Sequence, residues 1–392
     1  MSVPAVLSAR VYMDANATTP VALEVVQAML PFFSEHYGNA SSIHLDGQQS
    51  RTAVDRARSI LARFFNCRDA EVVFNSGGTE GDNNALFGLL RPGDHLITTA
   101  IEHSAVLQPA HRLAERGVQV TFLQPDTDGL ISAASVQAAL QPNTRLVSVM
   151  LANNETGVLM PVDEIGAVCR EAGAFFHIDA VQGAGKVPFD VQRFGCHLLS
   201  ISAHKMYGPK GVGALYVRRG TPVESLILGG SHERRHRAGT VNTPGIVGLG
   251  RAAELALDAL ATGTMDRVAR LRDRLEVGIL DLPGTNVNGA RAPRVANTTN
   301  ISFDRLDGEA LVIALDLKGI AVSGGSACHS GATEPSHVLM AMGLDRPRAL
   351  ASLRFSLLKT ATDADIDRVL AILPEAVQRL RTLSPAEAGT LA

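Results

Sequence analysis

The chain has no tryptophan, only 4% aromatic residues, and just five lysines (Lys186, Lys205, Lys210, Lys318 and Lys359) against thirty-one arginines. An amine nucleophile therefore has few candidate positions. Cysteine is also scarce. Cys67, Cys169, Cys196 and Cys328 are widely spread and form no C-x-x-C pair, which argues against a zinc knuckle or a disulfide framework and fits a reducing cytoplasm. No apolar run approaches the ~18 residues of a membrane span, and Met1 to Arg10 lacks a basic start followed by an apolar core, so a soluble, unexported protein with no membrane partner is expected. The formal net charge of -3 argues against nucleic acid as a partner. The longest basic cluster, Arg234-Arg235-His236-Arg237, is short and Gly-flanked, and suits a loop contacting a small anion.

What is present is a regular alternation. At 392 residues the chain exceeds one typical core, so two domains are expected. Short apolar, β-branched runs recur between helical patterns at 71–75, 95–99, 118–123, 145–151, 175–179, 198–202 and 212–217. They predict an α/β fold with a seven-stranded, mostly parallel sheet covered by helices. Near Gly250 the texture changes to an Ala/Leu-rich stretch and then a charged helical pattern. Strand-like 298–303 and 353–357, helix-like 308–318 and an amphipathic helix from Asp363 to about Arg381 follow. The expected division is a large domain over 20–250 and a smaller α+β domain from 1–19 and 251–392, with a small-residue tail after Ser384.

Ligands of an open parallel sheet gather beyond the carboxyl ends of its strands. Ser76-Gly77-Gly78-Thr79 follows the first strand and opens a helix, offering backbone N–H groups and a positive dipole end to a phosphate, although a tight strand-to-helix turn would need the same glycines. The run 175–179 ends in Asp179. The run 198–202 is followed by Ala203-His204-Lys205, so Lys205 is the lysine that lies directly beyond an apolar strand. Gly183-Ala184-Gly185-Lys186 lacks the first glycine of a P-loop and has Val187 where Ser or Thr should bind magnesium, so nucleoside triphosphate binding is rejected. A lysine for a cofactor aldehyde, a carboxylate for a pyridine nitrogen and a helix N-terminus for a phosphate together describe pyridoxal phosphate; a surface ion pair is the plainer alternative for the lysine and aspartate alone.

Longer motifs carry a resemblance. Tyr12 to Pro20 (YMDANATTP), Ser76 to Glu80 (SGGTE), Glu102 to Val106 (EHSAV), Asn153 to Gly157 (NNETG), His177 to Gln182 (HIDAVQ), Ser202 to Gly211 (SAHKMYGPKG), Arg237 to Thr240 (RAGT), Ser323 to Cys328 (SGGSAC), Glu334 to His337 (EPSH) and Leu353 to Ser356 (LRFS) resemble cysteine desulfurases of the NifS and IscS type. These enzymes have the fold-type I, class V aminotransferase-like architecture, and the motifs run over nearly the whole chain in the family's order. The resemblance implies a homodimer and a resident pyridoxal phosphate. Lys205 would hold the cofactor as a Schiff base and move protons, Asp179 would pair with the pyridinium nitrogen, His103 would stack on the ring and handle protons, and Gln182 would bond its phenolic oxygen. Gly78, Thr79, Ser202 and His204 match phosphate-binding positions, Thr240 one supplied across the dimer interface, and Asn154 and Arg354 positions that hold the substrate, the guanidinium suiting a carboxylate.

The implied reaction takes sulfur from L-cysteine onto Cys328 as a persulfide, leaves L-alanine, and delivers the sulfur to an acceptor or iron–sulfur scaffold protein for cluster or thio-cofactor assembly. Cys328 lies among small residues, Val322 to Gly331, which read as a mobile loop able to carry a thiolate to a ligand. Cys67, Cys169 and Cys196 read as structural. No resident metal is expected, Cys328 being the candidate for transient iron–sulfur ligation. The chain departs from common family patterns at Gly81, Ser231-His232 and His329, none of which removes a catalytic group. The rival readings are a selenocysteine or cysteine lyase, which would use the same cofactor, and a noncatalytic partner-binding subunit, against which Lys205, Asp179, Cys328 and Arg354 weigh.

Overall fold

The computed structural model describes residues 10–324 and 334–383; Cys328 and His329 lie outside the described residues. Thirteen strands, β1 to β13, form three sheets among these residues. The largest sheet contains β2 (Val72–Asn75), β3 (His95–Thr99), β4 (Gln119–Leu123), β5 (Thr144–Ser148), β6 (Phe175–Asp179), β7 (Leu198–Ser202) and β8 (Gly213–Val217). Its order is β2-β8-β7-β6-β5-β3-β4, and β8 is the strand that runs against both its neighbours. The seven-stranded, mostly parallel sheet expected from the apolar runs is therefore present. Every residue of β3, β7 and β8 is buried, as helices on both faces of a parallel sheet require.

One strand ends early for a chemical reason. The run 145–151 is mostly apolar, yet β5 stops at Ser148. Beyond it Val149 and Leu151 still donate to the β6 carbonyls of His177 and Asp179, but the Met150 N–H is taken by the Glu102 carboxylate at 3.0 Å. A side chain thus replaces the neighbouring strand, and the chain is released to turn at the sheet's carboxyl edge.

A four-stranded antiparallel sheet, ordered β12-β13-β10-β9, comprises β9 (Thr285–Val287), β10 (Thr298–Phe303), β12 (Ser323–Gly324) and β13 (Ser352–Ser356). Near the N-terminus β1 (Val11–Tyr12) pairs in parallel with β11 (Ile320–Ala321). Val11 and Met13 join the apolar cluster of these later elements, with Leu271, Phe303, Phe355 and Leu373. The division expected at 250–251 falls inside a helix, Thr243–Ala261, that runs unbroken through Gly250. A Cβ on Gly250 would lie 2.8 Å from that of Ala57, so the small residues here reflect close packing on the helix Leu45–Phe65. Ala252, Ala253 and Ala256 belong to the large sheet's core, and the second cluster takes up at Val268. No described helix is long and apolar enough to cross a membrane.

The basic segment near 234 is pinned from below. Glu233, Arg234 and Arg235 all have positive φ (43°, 55° and 73°), a conformation that costs free energy in non-glycine residues. It is held by an ion pair with both side chains only 7% exposed, in which Arg58 Nη2 donates to Glu233 Oε1 at 2.7 Å. Glu233 Oε2 also accepts from Arg58 Nη1 and from the Phe74 N–H, and the guanidinium lies over the Phe74 ring. Strand β2 thereby fixes the segment leading to Arg237 and Thr240. Arg58→Met leaves the Glu233 carboxylate enclosed without its cation, and should lower the unfolding free energy by about 3 to 5 kcal/mol in urea denaturation; a loss below about 1 kcal/mol would mean that the segment is held by other contacts.

Candidate functional site

The carboxyl ends of β2, β3, β5, β6 and β7 open onto one cleft of about 570 Å³. Gly78, Thr79, His103, Asn154, Asp179, Gln182, Ser202, His204 and Lys205, each singled out in the sequence, all line it. Their convergence follows from topology: each ends a strand of the same sheet or lies within six residues after one, where a parallel arrangement puts these positions side by side.

The β2 end is built for close approach. Gly77 has φ 144°, and the Asn75 side chain accepts from its N–H at 3.0 Å. A Cβ on Gly78 would meet Val181 Cγ2 at 2.5 Å, so only glycine brings the start of the helix Gly78–Leu89 so near the loop after β6. One turn on, a Cβ on Gly81 would stand 2.8 Å from Ser200 Oγ. This explains the glycine at a position that departs from the usual pattern: the helix lies directly on β7. Glu80 accepts from the Ser76 N–H at 2.8 Å and from Arg237 Nε at 3.0 Å, which ties the turn to the basic segment.

Beyond β3, His103 caps the helix Ser104–Glu115, its Nδ1 accepting from the Ala105 N–H at 3.1 Å. That bond leaves Nε2 to carry the ring proton. Burial lowers the His103 pKa, Asp179 opposes the shift, and the charges of Lys205 and His337 reinforce it. Asp179, at the end of β6, accepts from the Val181 N–H at 2.9 Å, and its pKa is raised by burial and by Asp82. Asp82 is pushed up to about 7 by burial, and Glu102, equally deep, well above the carboxylate range. His177 lies 3.5 Å from Asp82 with its ring nitrogens on Ser148 and Ser200. Burial lowers it to about 4, so the ring is neutral and its contact with Asp82 is not an ion pair. The sheet end under Asp179 is thus rich in carboxyls that no described cation neutralises.

Basic residues line the same cleft beside these carboxyls. Lys205 closes a short 3-10 turn after β7, and its Nζ donates to the carbonyls of Asn16 at 2.6 Å and Ala17 at 2.9 Å. His204 Nδ1 contacts Thr18 Oγ1 at 3.1 Å, and burial, Lys205 and Lys210 lower its pKa to about 4.

Two proposed residues lie outside this lining. Arg354, on β13, is buried and donates to Asp14 Oδ1 at 2.7 Å and to the Asn154 carbonyl at 3.0 Å, touching the cleft wall through Asn154. Thr240 is exposed in an adjoining cleft of about 260 Å³ that shares Ser76 and Gly211 with the first. Cys328 lies outside the described residues. The chain on either side of its segment is placed: Ser323 pairs with Arg354 across β12 and β13, and the His337 ring contacts the Glu102 carbonyl at 2.9 Å, close enough to His103 to depress its pKa.

Sequence reasoning missed Asn16 and Lys186. Asn16 Nδ2 donates to the Asn154 carbonyl and to Thr298 Oγ1, while its backbone carbonyl accepts from both Lys205 and Gln182. Asn16 stood in the motif Tyr12 to Pro20, but nothing local reveals a hub whose partners lie more than a hundred positions away. Lys186, set aside as a P-loop lysine, bonds Asn16 Oδ1 and Gln182 Oε1; the available signal was its spacing of four residues from Gln182.

Comparison with known proteins agrees with the motif reading. A cysteine desulfurase IscS of Anaeromyxobacter dehalogenans is 50% identical over 388 residues, covering 96% of this chain and 94% of that protein. Among solved structures, a NifS-like protein superposes with a TM-score of 0.88 at 35% identity, covering 95% of this chain and all of the other. The structure described as SspA in complex with cysteine gives 0.78 at 35% identity, covering 88% and 98%. The architecture is that of fold-type I aminotransferase-like enzymes. The aminotransferase class-V family matches from residue 11 to residue 369, and the chain belongs to that family.

Proposed function

We propose that this protein is a pyridoxal-phosphate-dependent cysteine desulfurase that converts L-cysteine to L-alanine and receives the sulfur on Cys328 as a persulfide. The observation that carries the reading is that Lys205 and Asp179 line one cleft together with the N-terminus of the helix Gly78–Leu89, in a chain whose relatives bear that name over nearly their full length. The donor set fits the cofactor. Gly78, with no room for a Cβ, and Thr79 offer backbone N–H groups to a phosphate, and Ser202 and His204 stand on the same wall. Asp179, held above its usual range by burial and by a second carboxyl, would gain most from a cationic ring nitrogen beside it.

When bound, pyridoxal phosphate supplies an electron sink that stabilises negative charge on the substrate's α-carbon. Lys205 would anchor its aldehyde, and its Nζ would carry the α-proton. His103, with Nδ1 committed to the Ala105 N–H, would stack on the ring and keep Nε2 for holding a proton. Asn154 and Arg354 hold the substrate carboxylate, the guanidinium turning from Asp14 to do so. Cys328 takes the substrate sulfur: its thiolate forms an S–S bond as the substrate's Cβ–S bond breaks, and Cβ is protonated to give alanine. An acceptor or iron–sulfur scaffold protein then collects the persulfide sulfur, and a reducing cytoplasm keeps the thiol available.

The working unit is a homodimer. Leu23, Leu30, Phe33, Tyr37, Ile43 and Leu45 are exposed apolar residues within one short stretch of chain, a surface that a second copy would cover. Thr240, exposed in its side cleft, is then free to reach the neighbouring subunit's phosphate. Sedimentation equilibrium should give twice the chain mass; a monomer with full activity would contradict this arrangement.

Lys205→Ala should abolish turnover of L-cysteine, assayed as alanine, because it removes both anchor and proton carrier. Steady-state turnover equal to the parent would overturn the assignment. Cys328→Ala separates the two chemistries. The variant should still take up pyridoxal phosphate and respond spectrally to L-cysteine, while alanine formation falls by several orders of magnitude. Retention of most alanine production, with sulfur released as sulfide, would instead identify a lyase.

A further inference from the structure

Lys186 is enclosed without a use in the reaction described above. Its amine end is surrounded by protein although the residue keeps partial accessibility, and no described carboxylate pairs with it. Such a lysine is costly to keep, so what it touches matters. Nζ lies 2.7 Å from Asn16 Oδ1 and 2.8 Å from Gln182 Oε1. The Asn16 amide is independently oriented, because its Nδ2 faces the Asn154 carbonyl and Thr298 Oγ1. Its oxygen must therefore point at Lys186, which donates whether it carries two protons or three.

The Gln182 amide is trapped between opposites. On one side Lys186 presents a donor, and on the other the Asn16 backbone carbonyl, an acceptor only, lies 2.9 Å from Gln182 Nε2. A flip would set oxygen against oxygen and amide hydrogens against amine hydrogens, losing both bonds. That carbonyl also receives Lys205 Nζ, so the NH₂ group of Gln182 is held on the Lys205 side of a residue that lines the cleft.

We propose that Lys186 is a positioning residue that locks the Gln182 amide with its NH₂ group toward the cleft, so that the site presents a donor to an anionic ring oxygen of the cofactor. The inference rests on the pyridoxal-phosphate reading. It explains why an amide suffices there: glutamine can donate or accept, and Lys186 removes the choice. It also explains why the Gly-Ala-Gly-Lys sequence has the look of a phosphate loop without being one. Gly185 has φ 73° and a Cβ there would approach Ala256 to 3.2 Å, so the small residues serve to bring the lysine back beneath Gln182.

The test is a double-variant cycle on the cofactor-loaded protein, comparing Lys186→Met, Gln182→Leu and the two together. Methionine matches the length of the lysine stem and borders a cavity of about 30 Å³ that gives it room. The readouts are the visible absorbance maximum of bound pyridoxal phosphate and its dissociation constant by equilibrium dialysis. Lys186→Met should shift the maximum in the same direction as Gln182→Leu and weaken binding by roughly 3- to 10-fold, the scale of one hydrogen bond. The double variant should be no worse than Gln182→Leu alone. Losses that multiply in the double variant, or an unshifted spectrum in Lys186→Met, would overturn the inference while leaving the cofactor assignment intact. A parent protein that takes up no pyridoxal phosphate would overturn both. If Lys186→Met does not fold, Lys186→Leu carries the same comparison, since it too removes the donor to Gln182 Oε1.

Discussion

Two lysine amines, Lys205 in the cleft and Lys186 in a small cavity that Lys205 also lines, share one acceptor residue. Asn16 offers its backbone carbonyl to Lys205 and Gln182 and its side-chain oxygen to Lys186, while its amide nitrogen reaches Asn154 and Thr298. Because Asn16 follows β1, and β1 pairs with β11, this short N-terminal segment joins the strands of the second core to the carboxyl edge of the large sheet. A carbonyl acceptor differs from a carboxylate in one important respect. It binds a lysine without adding a countercharge.

The sheet was legible in the sequence because strands buried on both faces read as uninterrupted apolar runs, and because each such run is followed by the residue that matters. Asp179, His204 and Lys205 needed no more than that rule to be found. His103 and Asn154, by contrast, came from family motifs, since a helix cap and a turn give no periodic signal of their own. What stayed hidden was set by pairing across long separations. Glu102 ends β5 early by claiming the Met150 N–H, Asp82 lies beneath Asp179 from a helix one strand away, and Lys186 looked like a fragment of another motif. The change in composition near Gly250 was real, but its cause is helix packing against Ala57.

The Arg58–Glu233 pair shows how stability and site geometry are joined at the cleft's edge. Three successive positive-φ residues cannot hold themselves, and the energy that holds them comes from a desolvated, bidentate ion pair rooted in β2. The same strand ends in the turn that opens the helix Gly78–Leu89, and Glu80 in that helix binds Arg237. Loop and helix N-terminus are therefore referenced to one strand, so that Thr240 and Gly78 keep a fixed relation although they lie in different clefts.

Charge is sorted across the cleft. Asp179, Asp82 and Glu102 cluster at the sheet end, each held above the usual carboxylate range by burial, and Asp179 is raised further by Asp82. Lys205 and Lys210 line the same cleft, and both depress His204. A neutral ligand would leave both imbalances in place. A ligand with a cation at one end and anions at the other relieves them together, since a positive ring nitrogen beside Asp179 lets that carboxyl ionise, and a phosphate near the helix N-terminus and a carboxylate near Arg354 complete the basic side. On the reading proposed above, these charges favour a ligand that is cationic toward Asp179 and anionic elsewhere, and Gln182, with its donor held by Lys186, would set the remaining orientation of the ring.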